Sequence, residues 1–187
     1  MLPQTFFTTN ADQLAPELLG CTLVHDTPEG LTEGLIVETE AYSQEDAASH
    51  SYKGETARTR AMFGPAGHAY IYFTYGMHYC FNVVSGQKGH GQGVLIRALQ
   101  PITGIELMKK RRGKENDLCN GPSKLVQAMG ITKADYGKPL FGNDELFIKR
   151  ENSPKIDIQK GPRIGITQAK DAPLRFWIKD NTYVSKR

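Results

Sequence analysis

Cysteine is scarce here: Cys21, Cys80 and Cys119 are three in 187 residues, widely spaced and odd in number. That argues against a disulfide framework and fits a reducing compartment. Neither C-x-x-C nor H-E-x-x-H occurs, and the histidines and cysteines lack zinc-ligand spacing. Long apolar runs are missing as well. Met1 leads into neither a basic segment nor an apolar stretch, so neither a signal peptide nor a membrane span is expected, and the cytoplasm is the expected location. Gly89–Gly93 (GHGQG) is not G-x-G-x-x-G and no Walker-type loop exists, which leaves a nucleotide cofactor little support. The H-x-E and P-C-x-x-C pair of zinc deaminases is absent too. Repeats, biased segments and an internal linker are lacking, so residues 1–187 read as one domain.

What is present is an ordinary soluble composition, 39% hydrophobic and 23% charged, in a chain long enough to bury a substantial core. A net charge of +3 and a pI near 8.7 permit a polyanionic partner without requiring one. Lys109–Arg112 (KKRR) and Arg58–Arg60 (RTR) are local positive clusters, as readily solvated surface as binding patch.

The stretch Glu33–Tyr42 (EGLIVETEAY) organises the rest. Ile36, Glu38, Glu40 and Tyr42 share one parity and Leu35, Val37, Thr39 and Ala41 the other, the period of a strand. Two carboxylates and an aromatic therefore line one face, which is costly to bury without a purpose. Asn10 is placed to cap a helix over Ala11–Leu19 that Gly20 ends. Cys21–His25, Gly93–Leu99, Glu145–Lys149, Arg163–Ile166 and Leu174–Lys179 read as further strands. His68–Tyr75 and Met77–Val84 flank Gly76 as a hairpin, and helices are predicted over Thr103–Arg112 and after Pro122. Ser43–Gly67 loses periodicity and is longer than connections usually run, which favours a functional loop. The fold class expected is α+β: a single mixed domain with a curved, mostly antiparallel sheet, flanking short helices and a protruding β-hairpin.

Each chemistry-bearing residue has a plainer alternative. Glu40 could simply pair with Arg97, or hold a water as base with Arg97 orienting it. His50 could be an ordinary loop histidine, and Asn82 could either read a ligand edge or tie down a loop. Tyr70 and Tyr79 suit half-buried packing. Tyr75 does not, because a hairpin tip carries small polar residues unless its aromatic is to be inserted into something, such as a base stack.

Taken together, LAPELLG (Leu14–Gly20), IVETEAY (Ile36–Tyr42), EDAASHS (Glu45–Ser51), R-x-R-x-MF (Arg58–Phe63), YIYFTYGMHYCFNV (Tyr70–Val83), GVLIRALQP (Gly93–Pro101), LCNGPSKL (Leu118–Leu125), RIGI (Arg163–Ile166) and PLRFWI (Pro173–Ile178) resemble the alkyladenine (3-methyladenine) DNA glycosylase family collinearly over nearly the whole chain. The resemblance implies excision of damaged purines by base flipping, with water attacking the sugar C1′ and no metal or organic cofactor. It implies a monomer acting on double-stranded DNA that contains damaged purines, in a bacterial-type cytoplasm at the nucleoid, with no membrane partner. It gives Glu40 the role of activating the water and Arg97 that of holding it. Tyr42 and His50 correspond to the stack on one face of the flipped base and Tyr72 to the stack on the other. Asn82 corresponds to the amide at the purine C2 edge and Ile164 to the apolar wall beside the water. Tyr75 corresponds to the intercalating side chain. Arg58, Arg60, Met77 and Lys124 correspond to DNA-backbone contacts.

That reading has a physical logic. Flipping costs a few kcal/mol, less for a damaged pair, and stacking recovers about 1–3 kcal/mol per base. A purine alkylated on N3 or N7 is a cation, which an aromatic cage attracts by roughly 0.5–2 kcal/mol. Two other classes compete: a non-catalytic damaged-DNA-binding module that uses Tyr75 as a wedge, and a bifunctional glycosylase/lyase with a lysine nucleophile, Lys124 being nearest. An acid facing DNA weakens binding unless it works, which disfavours the first.

Overall fold

The longest strand forms where the sequence predicts, but starts earlier. In the computed structural model, which describes residues 1–74, 78–151 and 156–185, β2 runs Gly30–Tyr42. A two-residue turn joins it to β1 (Thr22–Thr27), whose Thr27 pairs with Gly30. The strands β3 (Ala69–Thr74), β4 (His78–Val84) and β5 (Gly93–Thr103) follow, then β6 (Leu146–Lys149), β7 (Ile158–Gly161) and β8 (Arg175–Ile178). The order is β3-β4-β5-β2-β1-β6. The far half of β2 exchanges β1 for β8, which in turn pairs with β7. Every ladder is antiparallel, and with three short helices the architecture is the α+β class expected.

The helices are α1 (Ala11–Glu17), α2 (Ile105–Arg112) and α3 (Pro122–Met129). Pro122 takes the first helical position, where no intrahelical N–H is lost. Asn10 holds the N-cap position of α1, but its side chain makes no capping bond. That bond comes from Gln92, whose Oε1 accepts the Ala11 N–H at 2.9 Å while its amide reaches Asn10 Oδ1. Leu14, Ile96, Leu125 and Phe7 are fully buried in one apolar core between sheet and helices. Each contributes about 1.5–3 kcal/mol by leaving water.

One expectation needs correcting. Arg163–Ile166 is not a strand: Gly165 turns there with φ +76, and the Ile164 N–H goes to a side chain rather than to a ladder. The KKRR cluster, open in the sequence between solvated surface and binding patch, is engaged at three of its four cations, with Lys110 exposed. Lys109 pairs with Glu106 and Glu115, Arg111 with Glu29, and Arg112 with Gln127, stitching α2 onto its surroundings. The hairpin of β3 and β4 closes its ladder at Thr74 and His78. Tyr75, expected to intercalate, and Met77, expected to contact the DNA backbone, lie outside the described residues.

Candidate active site

Two compensating irregularities in the β2–β5 ladder shape the site. Between Ile36 and Glu38, two steps of β2 oppose one of β5; between Glu38 and Thr39, one step of β2 opposes two of β5, leaving Arg97 as the extra residue. Bulges re-aim side chains. Here Ile36 and Leu99 join the main core with Ala41 and Ile96, so the alternation read from sequence breaks at Ile36. Glu38, Glu40 and Arg97 are left to meet one another.

Both carboxylates are fully buried. Arg97 spans them, its Nε 3.2 Å from Glu38 Oε1 and its Nη1 3.2 Å from Glu40 Oε1. Glu40 Oε1 also accepts the Ile164 N–H at 2.8 Å, and its Oε2 accepts the Tyr42 hydroxyl at 2.8 Å. Beneath, Glu38 accepts from Arg175 Nε at 2.6 Å and from Ser185, through its N–H at 2.7 Å and its hydroxyl at 3.0 Å. Arg163, with a fully buried side chain, donates to the Ala41 carbonyl and to Asp46. Three carboxylates thus balance three guanidiniums, the condition under which buried charge is tolerable.

Above Glu40 opens a cavity of about 300 Å³, at the small end for ligand sites. Tyr42, His50, Tyr72, Asn82 and Ile164 line it together with Glu40 and Arg97. Seven residues proposed from sequence, drawn from four strands and two loops, therefore converge on one space. The His50 and Tyr72 rings meet edge to face at 4.4 Å, and His50 Nδ1 lies 3.0 Å from the Tyr70 hydroxyl. Asn82 Nδ2 donates to the Tyr70 carbonyl at 3.2 Å. Burial, helped by the Arg58 charge, brings His50 down to about 4, so the ring is neutral near pH 7. Burial also drives the Tyr42 and Tyr72 hydroxyls well above their ordinary range, in Tyr42 with the Glu40 charge adding to it, and both remain donors.

The basic residues stand differently. The Arg58 guanidinium lies 5.5 Å from the Tyr72 ring centroid and bonds the Phe73 carbonyl at 3.5 Å. Arg60 is exposed and 3.8 Å from Glu55. Lys124 donates to Asn120 Oδ1 at 2.8 Å and does not line the cavity, although Pro122 does.

Several contributors escaped the sequence reading. Glu38 is placed beside Glu40 by the alternation, but its part in the site has no sequence signal. Arg163 lies 4.5 Å over the Tyr42 ring and sits in the RIGI segment, but nothing in the spacing ties it to Asp46. Tyr70 was read as packing, and it also orients His50. Cys80, opposite Tyr72 in the ladder, lines the cavity as a thiol that burial keeps protonated. Arg175 and Ser185 gave no signal. Among the described residues, no group of three or more metal-ligating side chains comes together, and no helix is long and apolar enough to cross a membrane.

The profile of the family described as methylpurine-DNA glycosylase (MPG) matches residues 5–182. A protein of Carboxydothermus hydrogenoformans, named provisionally as a 3-methyladenine DNA glycosylase, is 49% identical over the whole of both chains. A provisionally so-named protein of Methanoculleus marisnigri is 48% identical over 100% of this chain and 99% of its own. One from Francisella tularensis, again with that provisional name, is 50% identical over 92% of each.

Proposed function

The chain belongs to the methylpurine-DNA glycosylase family, and from that premise we propose that it excises alkylated purines, 3-methyladenine among them, from duplex DNA by hydrolysis of the N-glycosidic bond. The observation that carries this reading is one buried carboxylate, Glu40, held by three donors at the floor of a purine-sized slot between aromatic walls.

In this proposal the damaged nucleotide rotates out of the duplex and its base enters between Tyr42 with His50 and Tyr72. Stacking contributes about 1–3 kcal/mol towards the cost of unpairing. The Asn82 amide, anchored on the Tyr70 carbonyl, crowds the purine C2 edge and disfavours a 2-amino group. Tyr75 fills the vacated stack, and Arg58, Arg60, Met77 and Lys124 follow the backbone. A water beside Glu40 then attacks C1′. Its oxygen bonds to C1′, the C1′–N bond breaks with its electron pair passing to the base, and the water proton passes to Glu40. An N3- or N7-alkylated purine is cationic and leaves as a neutral base, so one carboxylate suffices. The sugar becomes oxocarbenium-like on the way, as in glycoside hydrolysis, and the carboxylate steadies that charge. Arg97 and the Ile164 N–H fix the carboxylate, so that little reorganisation is needed when charge develops.

No observation favours a lyase, because Lys124 is spent on Asn120. The test is release of free base from a duplex carrying an N-methylated purine. Wild-type protein should release it, and Glu40→Gln should bind that duplex within about threefold while losing at least about 100-fold in rate. No release by wild type, or equal loss of binding and release in the variant, would contradict the proposal.

A further inference from the structure

Glu38 lies outside the cavity lining, yet it collects more donors than any base or nucleophile in the slot. Its Oε1 accepts from Arg97 Nε, Arg175 Nε and the Ser185 hydroxyl, and its Oε2 from the Ser185 N–H. A structural ion pair would need only one of these. The Arg97 guanidinium is the link: Nε faces Glu38 and Nη1 faces Glu40, both at 3.2 Å. A planar fork held at one edge has its other edge aimed by that hold. Glu38 is itself clamped from β8 and from Ser185, so the aim of Arg97 is set by groups that never touch the cavity.

We infer that Glu38, clamped by Arg175 and Ser185, is a positioning residue for the hydrolysis, acting through Arg97 on the Glu40 carboxylate. The inference rests on the hydrolytic role given to Glu40 above. Its second element is charge. While Glu38 is ionised, Arg97 divides its attraction between two carboxylates, and Glu40 keeps an oxygen able to take a proton. Neutralise Glu38 and Arg97 turns wholly to Glu40, occupying the oxygen that water must meet and making the carboxylate a weaker base.

Three variants test this on the full-length chain with an N-methylated duplex. Glu38→Gln keeps the shape and removes the charge. It should lower the single-turnover rate about 10- to 100-fold, the scale of a small misplacement of a reacting group. DNA affinity should stay within about threefold, and the acid limb of the pH–rate profile should move to lower pH. Ser185→Pro lacks the N–H and the hydroxyl and lies remote from the slot. It should lower the rate too with DNA affinity kept, by loosening the hold on Arg97, but without the shift of the limb to lower pH because Glu38 stays charged, and Ser185→Ala, which keeps the N–H, should recover part of the rate. Should Glu38→Gln fail to fold, Ser185→Pro carries the test. In the Glu40→Gln background the Glu38→Gln change should lose most of its effect, because residues acting through one group are not additive. Undiminished rates and an unmoved acid limb, or full additivity with Glu40→Gln, would overturn the inference. Absence of base release by wild type would instead overturn the hydrolytic reading itself.

Discussion

His50 shows how much environment adds to a residue type. A loop histidine was visible in the sequence, but not the Tyr70 hydroxyl that bonds it or the Tyr72 ring it abuts. Because the folded ring titrates near 4 against an ordinary 6.5, the unfolded chain takes up its proton first as pH falls. Stability from this group is therefore complete above about pH 6.5 and declines from there towards pH 4. The thermal midpoint should fall over that window in wild type and fall less in His50→Gln; identical profiles would contradict it. Arg163 and Arg58 qualify the cage in another way. A guanidinium already lies against Tyr42 and another against Tyr72, so the cation–π attraction left for a charged base is smaller than the bare aromatics imply. Neither contact has a sequence signature, because each joins residues far apart in the chain.

Among the elements, β2 was the most legible and the RIGI segment the least. Alternation identified the strand, yet it could not reveal the paired bulges that turn Ile36 into the core and Arg97 towards two acids. Bulges answer to the partner strand's register, which one sequence segment does not contain. RIGI has the apolar character of a strand, but its Ile164 N–H serves Glu40 and Gly165 takes a left-handed turn. Nothing lies within 4 Å of an added Gly165 Cβ, so Gly165→Ala would meet conformational strain alone, about 1–2 kcal/mol. Relieving that strain shifts the turn and withdraws the Ile164 donor. Base release should drop roughly tenfold, with the melting temperature lower by about 2–8 °C. A rate within about twofold of wild type would show that the turn does not set Glu40.

At the scale of the whole molecule, composition and strand count were enough to expect an α+β sheet protein, because antiparallel hairpins and short helices each carry local signals. The charge distribution was not. Three of the four KKRR cations have partners, so a DNA-tracking surface would draw on cations such as exposed Lys110 and Arg60, the latter only loosely paired. Phosphate contacts release counterions, and affinity for duplex DNA should fall on a straight line in log–log against salt, with a slope of about −0.9 per contact. A flat line would contradict such a surface. Arg60→Gln should flatten the slope by about one contact or less, the same for damaged and undamaged duplexes.

The two halves of the site come from different stretches of chain. The walls of the slot, Tyr42, His50, Tyr72 and Asn82, all lie within residues 42–82, whereas the supports of the Glu40–Arg97–Glu38 array, the Tyr42 hydroxyl apart, come from residues 164, 175 and 185. A molecule nicked by a protease at exposed Lys179 would keep its grip on a lesion while its chemistry falters.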